Sequence, residues 1–106
     1  MHEINGWSMF VVLLKFGENK AQAGEYMAGH NTWLARGFEE GVFLLAGSLK
    51  PGLGGSILAH NATLAELEAR VAEDPFVQEK VVLAEILEIE PAKADDRLSF
   101  LLDDHS

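Results

Sequence analysis

Residues 9–14 are apolar at every position, and the run ends at Lys15, two residues before Gly17. A short run of aliphatic and β-branched residues bounded by a glycine is typical of a strand that is buried on both faces. Residues 42–46 repeat the pattern. A sheet with one face in water alternates apolar and polar residues instead. We therefore expect a fold built on a sheet that is covered on both sides.

The other segments supply the order of the elements. Residues 20–40 carry an amphipathic helical pattern that Gly37 and Gly41 help to end. Thr63 and Glu66 have the spacing of a capping box, which predicts a second helix that ends near residue 73, before Pro75. The predicted strands are residues 8–15, 42–49, 54–61 and 81–90.

The resulting order, βαββαβ, predicts a ferredoxin-like α+β fold with an antiparallel four-stranded sheet and both helices on one face. The domain is expected to span residues 8–91, between an N-terminal lead-in, residues 1–7, and a C-terminal tail, residues 92–106. Since the helices cover one face, a second copy of the sheet is the economical cover for the other. We predict a homodimer; the alternative is that the tail folds back over this face.

Length and charge limit the classes of partner. A chain of 106 residues allows a single domain. Its net charge of −9 repels phosphate backbones and anionic lipids, which argues against nucleic acid and membranes as partners. The absence of cysteine excludes disulfides, thiolate nucleophiles and cysteine-based metal sites. The apolar run is far too short for a membrane span and follows no basic segment, so a cytoplasmic location is expected.

His30 lies on the apolar stripe of the first predicted helix, between Met27 and Trp33, so its side chain is expected to face inward. It could act as a general acid or base, because imidazole titrates near neutral pH. The alternative is a buried histidine that is hydrogen-bonded to a backbone carbonyl. The helical spacing alone leaves both interpretations open.

Asp74 continues the buried stripe of the second predicted helix after Leu64, Leu67 and Val71. An inward-facing carboxylate needs a partner. The alternative is that Asp74, which precedes Pro75, caps a short following helix. These two interpretations are also left open.

Ser48 and Ser56 follow glycines near the turn between the second and third strands, and both are candidate substrate-binding residues. A plain hairpin turn explains the glycines equally well. The remaining histidines, His2, His60 and His105, have no metal-site spacing, so no bound metal and no cofactor are predicted.

Several of these motifs together resemble the YCII-related (YciI-like) family over roughly residues 10–91. They are the apolar run 9–14, His30 in the sequence AGHNTWL, residues 41–47, Gly55-Ser56 and Asp74-Pro75-Phe76-Val77. The resemblance implies a dimeric α/β barrel with a cleft in which His30 and Asp74 form the catalytic centre. A few members of the family look like dehalogenating or lyase-type enzymes of aromatic catabolism.

Two functions follow as hypotheses. The first is a cofactor-independent lyase, isomerase or dehalogenase that acts on a small, partly apolar metabolite through His30, with Asp74 orienting the imidazole. The second is a non-catalytic module that binds a small ligand or regulates through it. A heme- or quinone-linked monooxygenase is a weaker third, because the sequence contains no specific cofactor pattern.

Overall fold

A computed structural model describes residues 8–102. Its four strands are β1 (Met9–Phe16), β2 (Phe43–Leu49), β3 (Gly54–Ala59) and β4 (Val82–Ile89). They form one sheet in the order β2-β3-β1-β4, and every neighbouring pair is antiparallel. This is the ferredoxin-like arrangement, so the predicted fold class is confirmed. The predicted lead-in, residues 1–7, lies outside the described residues.

Three helices connect the strands. A 3-10 turn (Lys20–Gln22) leads into α1 (Ala23–Glu39), and α2 (Leu64–Val71) and the one-turn α3 (Pro75–Gln78) follow β3. The predicted capping box at the start of α2 is present: Glu66 N donates to Thr63 Oγ1 at 3.0 Å, and Thr63 N donates to Glu66 Oε1 at 2.8 Å. It satisfies two backbone donors that an uncapped helix leaves unpaired.

The core lies between the sheet and the helices, and alternate residues of β1 enter it. Phe10, Val12 and Leu14 are almost completely buried. Gly37 was predicted to help end the first helix, and this was wrong, because it lies inside α1. It packs directly over the ring of Phe43, and a Cβ at this glycine would collide with that ring. The close approach of α1 to β2 therefore depends on a missing side chain. Other core residues are Trp33, Ile57, Ala59, Leu67, Val71, Phe76 and Val82.

The opposite face of the sheet, here called the outer face, has none of the helices α1 to α3 of the described residues over it. Val11 and Leu13 point to this side, since they alternate with the core residues of β1. Leu45, Leu58, Val11 and Leu87 form a row of aligned Cα partners across all four strands. Leu45, Leu83, Leu87 and Ile89 are 44–63% exposed. Residues 8–102 of one copy thus cover only one of the two apolar faces. The apolar residues of the outer face are Met9, Val11, Leu13, Leu45, Leu58, Leu83, Leu87 and Ile89.

The described part of the tail forms a 3-10 segment (Asp96–Leu102), and Leu45, Leu83, Leu87 and Ile89 stay exposed. Leu101 is buried, and Phe100 makes an edge contact with His60, with ring centroids 5.5 Å apart. Burial lowers the pKa of His60, and a hydrogen bond with the backbone of Gly41 partly opposes this shift. Among residues 8–102, no helix is long and apolar enough to cross a membrane.

Candidate active site

His30 lies on α1 and faces α3, with only 13% of its side chain exposed. Its imidazole stacks on the ring of Phe76, with centroids 4.1 Å apart and planes 7° from parallel. Trp33 lies near the same imidazole, at 5.8 Å. Trp33 is itself held by a 2.8 Å hydrogen bond from Nε1 to the carbonyl oxygen of Arg70. The plane of the imidazole is therefore defined by packing before any substrate is present.

Asp74 is completely buried and meets His30 across the contact between α1 and α3. Its Oδ1 lies 2.9 Å from His30 Nδ1 and also accepts the backbone N–H of Phe76 at 3.0 Å. An ionised carboxylate can only accept hydrogen bonds, so Nδ1 is the donor and carries a proton. In the neutral imidazole, Nε2 is then the free acceptor.

The second carboxylate oxygen of Asp74 has no partner. Oδ2 is buried and makes no hydrogen bond to any of residues 8–102. A buried carboxylate is costly unless it is paired. The ionic partner of this carboxylate in the structure is His30. The carboxylate of Asp74 thus lies directly against the imidazole of His30, where its charge can act on that ring.

Gly29 allows α3 to approach α1 closely. A Cβ at Gly29 would lie 3.1 Å from Cγ of Pro75. Proline is rigid, so relief of such a contact requires α3 to move as a unit. Because Asp74 is the residue before Pro75, this close approach contributes to the short distance between Asp74 and His30.

Two cavities of about 210 Å³ each lie beside His30 and share Leu14, His30, Gly47 and Gly55 as lining residues. We call them together the cleft. Its other lining residues are mainly apolar: Leu34, Ala46, Ile57, Phe16, Met27, Phe76 and Val82. Of the described residues that line it, none except His30 is ionisable near neutral pH. The cleft therefore suits a small, largely apolar molecule.

The two predicted substrate-binding serines occupy different faces of the sheet. Ser48 is the Cα partner of Gly55, which is aligned with the core residue Leu14, so Ser48 lies on the helix side and lines the cleft. Ser56 is aligned with Leu13 of the outer face. It borders the cleft, but the alternation of the strand directs its side chain to the other side of the sheet.

A larger cavity, of about 610 Å³, lies between α1 and α2 and is far less suited to catalysis. It is lined by charged surface residues, and its Arg70 and Glu40 already form an ion pair with each other. Neither His30 nor Asp74 lines it. Within residues 8–102, no group of three or more His, Asp or Glu side chains is placed to hold a metal ion.

Sequence reasoning missed three contributors to the site: Phe76, Asn31 and Gly29. Phe76 stacks on the imidazole, Asn31 lines the cleft, and Gly29 permits the approach of α3. The sequence did contain a signal for them. Phe76 is two residues after Asp74, and Asn31 and Gly29 are adjacent to His30.

The comparisons with known proteins agree with the fold. A model of the YCII-related domain family matches residues 9–93. A solved structure with a TM-score of 0.63 and 13% identity covers 84% of this chain and 97% of its own. It is 5-chloro-2-hydroxyhydroquinone dehydrochlorinase from Burkholderia phenoliruptrix, in complex with 2,5-dihydroxybenzoquinone. No curated protein matches the chain. At this identity the structural match supports the fold alone.

Proposed function

Because the chain belongs to the YCII-related domain family, we propose that it is a cofactor-independent enzyme that acts on a small, partly apolar metabolite. His30 is the general acid and base, and Asp74 orients the imidazole. The reaction is of the lyase, isomerase or dehalogenase type. The dehydrochlorinase with the same fold favours the dehalogenase type among these.

The observation that carries the proposal is the 2.9 Å contact between His30 Nδ1 and Asp74 Oδ1 at the edge of an apolar cleft. A carboxylate on Nδ1 selects the tautomer whose Nε2 can accept a proton. Stacking of the imidazole on the ring of Phe76 fixes the direction in which Nε2 points. A histidine that served the core alone would not need a buried carboxylate, since a backbone carbonyl would satisfy it at lower cost.

The chemistry balances without an oxidant or a reductant. In an elimination, Nε2 takes a proton from the substrate, a new π bond forms, and the halide leaves with the electron pair of the carbon–halogen bond. The imidazole is then positively charged and faces the carboxylate of Asp74. Release of the proton to water returns it to the neutral form.

Binding without catalysis is the second candidate function. Only 13% of the His30 side chain is exposed. A histidine this enclosed could serve as a fixed hydrogen-bonding group for a ligand, with Ser48 as a second one.

We also propose that two copies associate through the outer face. The support is the row of aligned apolar residues across all four strands, in which Leu45 and Leu87 on the two edge strands are exposed. A patch of this kind is costly to leave in water. A cytoplasmic location remains part of the proposal.

The test is chloride release from 5-chloro-2-hydroxyhydroquinone, compared between the wild type and His30→Asn. Asparagine can place an amide nitrogen close to the position of Nδ1, so it can still donate to Asp74, but it cannot accept a proton. We expect kcat to fall by about 10²- to 10⁴-fold with little change in the melting temperature.

Wild-type turnover by His30→Asn would remove His30 as the base. If the variant also bound substrate normally, the binding module would become the leading interpretation. Should the wild type release no chloride, a metabolite screen by thermal shift would then identify the ligand, since a ligand of the folded state raises the melting temperature.

A further inference from the structure

Two consecutive glycines begin β3, and backbone geometry accounts for only one of them. Gly54 has φ 131°, and a Cβ there would collide with the carbonyl oxygen of Leu14. Gly55 has no such restriction: its φ is not in the left-handed region, and the nearest atom to an added Cβ is the carbonyl oxygen of Gly47 at 3.4 Å. Glycine inside a strand weakens it. The presence of Gly55 therefore calls for a different explanation.

Gly55 lies in the floor of the cleft. It is aligned with Leu14 on one side and Ser48 on the other, on the face of the sheet that carries the helices. Both cavities beside His30 include it among their lining residues. An added Cβ would meet no side chain within 4 Å. The space that a side chain would occupy at this position thus belongs to the cleft.

We propose that the space left by the absent side chain of Gly55, here called the seat, binds a planar, uncharged ring. The substrates of the protein are then molecules that contain such a ring. This assignment rests on the proposed function, because the group that reacts is the one that the seated ring presents to His30. With no side chain at Gly55, the floor there is bare strand backbone, which offers a flat surface. Leu14, Ile57 and Leu34 surround it with apolar side chains.

The polar groups of the cleft define where substituents of the ring belong. Ser48 and Asn31 line the same cavity as His30 and can donate or accept hydrogen bonds. Neither can neutralise a charge, and no lysine or arginine is among the described residues that line the cleft. A carboxylate on the ring would lose its hydration without gaining a cation. Hydroxyl or carbonyl substituents satisfy the site.

Phenol and cyclohexanol are matched probes, because each is an uncharged six-membered ring with one hydroxyl and only phenol is planar. Binding is measured by NMR titration of the backbone amides of His30 and Gly55, which requires no turnover. We expect the wild type to bind phenol about tenfold more tightly than cyclohexanol or benzoate, the range that shape differences in an apolar pocket can produce.

Gly55→Val should reduce the affinity for phenol by about tenfold or more, because the added side chain occupies the seat. In this variant the reporter amides are those of His30 and Ser48. The melting temperature should stay the same or rise, since valine favours a strand. Gly24→Val is the control, because a Cβ at Gly24 meets nothing within 4 Å and Gly24 does not line the cleft. If valine prevents folding, Gly55→Ala replaces it, with the same direction of effect.

Equal affinity for phenol and cyclohexanol would contradict the proposal that the bound ring is planar. Tighter binding of benzoate than of phenol would contradict the proposal that it is uncharged. A folded Gly55→Val protein with wild-type affinity for phenol would show that the ring does not bind in the space beside Gly55. A wild type that binds none of the three probes would overturn the ligand class. Each of these outcomes is distinct from a failure of the proposed catalysis, which is read from kcat of His30→Asn.

Discussion

One oxygen atom of Asp74 serves two structural roles. Oδ1 caps α3 through the N–H of Phe76 and also holds Nδ1 of His30. A cap and an inward-facing partner were alternative interpretations of Asp74 in the sequence, and the structure contains both. Because the cap places Asp74 at the start of α3, the local fold of this helix positions the carboxylate for the histidine.

Asp74→Asn should lower both stability and turnover. Asparagine keeps an oxygen for His30 and Phe76, but its amino group takes the place of the unpartnered Oδ2. A buried donor without an acceptor costs about 1–3 kcal/mol in the free energy of unfolding. The charge that stabilises the positive imidazole is also lost, so kcat should fall, but less than in His30→Asn. Chemical denaturation and chloride release measure the two effects.

Asp95→Asn is the matched control for this change. Asp95 is exposed, and hydrogen bonds from the side chain of Arg97 lower its pKa. Exposed ion pairs contribute little to stability, so this variant should resemble the wild type in both assays. A loss of turnover in Asp74→Asn as large as that in His30→Asn would contradict a supporting role for Asp74, in which it orients and charges the imidazole.

Single residues were predictable from the sequence where the helical stripe decided their direction. His30 is an example, because Trp33 on the same stripe is buried, although Met27 of that stripe is 42% exposed at the cleft. Ser56 shows the opposite case: its face depends on the register of β3 against β1, and a shift of one residue reverses it. The approach of Asp74 to His30 joins positions 44 residues apart and depends on how α1 and α3 pack, which local patterns do not determine.

At the scale of the elements, the contact between α1 and β2 depends on Gly37. We expect Gly37→Ala to destabilise the protein by about 1–3 kcal/mol, because the added methyl group collides with the ring of Phe43. Gly24→Ala changes the same residue type in the same helix, where a Cβ meets nothing within 4 Å. It should stabilise by about 0.5–1 kcal/mol.

Thermal and urea denaturation of the two variants give the comparison. We expect changes of opposite sign in the free energy of unfolding. Both replacements favour the helix, but only Gly37→Ala overfills the core. If Gly37→Ala were as stable as Gly24→Ala, the packing of α1 against β2 would have to be looser than the structure indicates.

The order of the elements was readable because each boundary carries its own chemical signal. Thr63 and Glu66 predict the start of α2, and Pro91 predicts the end of β4. The one-turn α3 was foreseen only as an alternative, since four residues are too few to show helical periodicity. The β-bulge between Phe43 and Leu45 left no signal in the sequence, because every residue there is apolar.

At the scale of the molecule, the apolar run of β1 has two explanations, one for each face. Phe10, Val12 and Leu14 fill the core, whereas Val11 and Leu13 belong to the outer face. The described residues of one copy therefore cover the sheet on one side only, whereas the sequence predicts cover on both. We predict that a second copy supplies the rest.

Light scattering at micromolar concentration should give the mass of a dimer, with an interface that buries more than about 1,200 Å² in total. Leu87→Asp places a charge in the apolar row and should produce monomers or reduce folding. Leu64→Asp is the control, because Leu64 is an exposed leucine at the start of α2, where an acidic residue is favourable. A stable, well-folded wild-type monomer would rule out the dimer.

Because Oδ1 of Asp74 binds both Phe76 and His30, the opening of α3 and the loss of the contact with His30 occur together. Any fluctuation that opens α3 far enough to expose the amide proton of Phe76 to solvent also draws the acceptor away from His30. The rate at which that amide proton exchanges with deuterium therefore reports how often the candidate site opens. The lifetime of the competent arrangement can in this way be measured in the resting protein, before any substrate is identified.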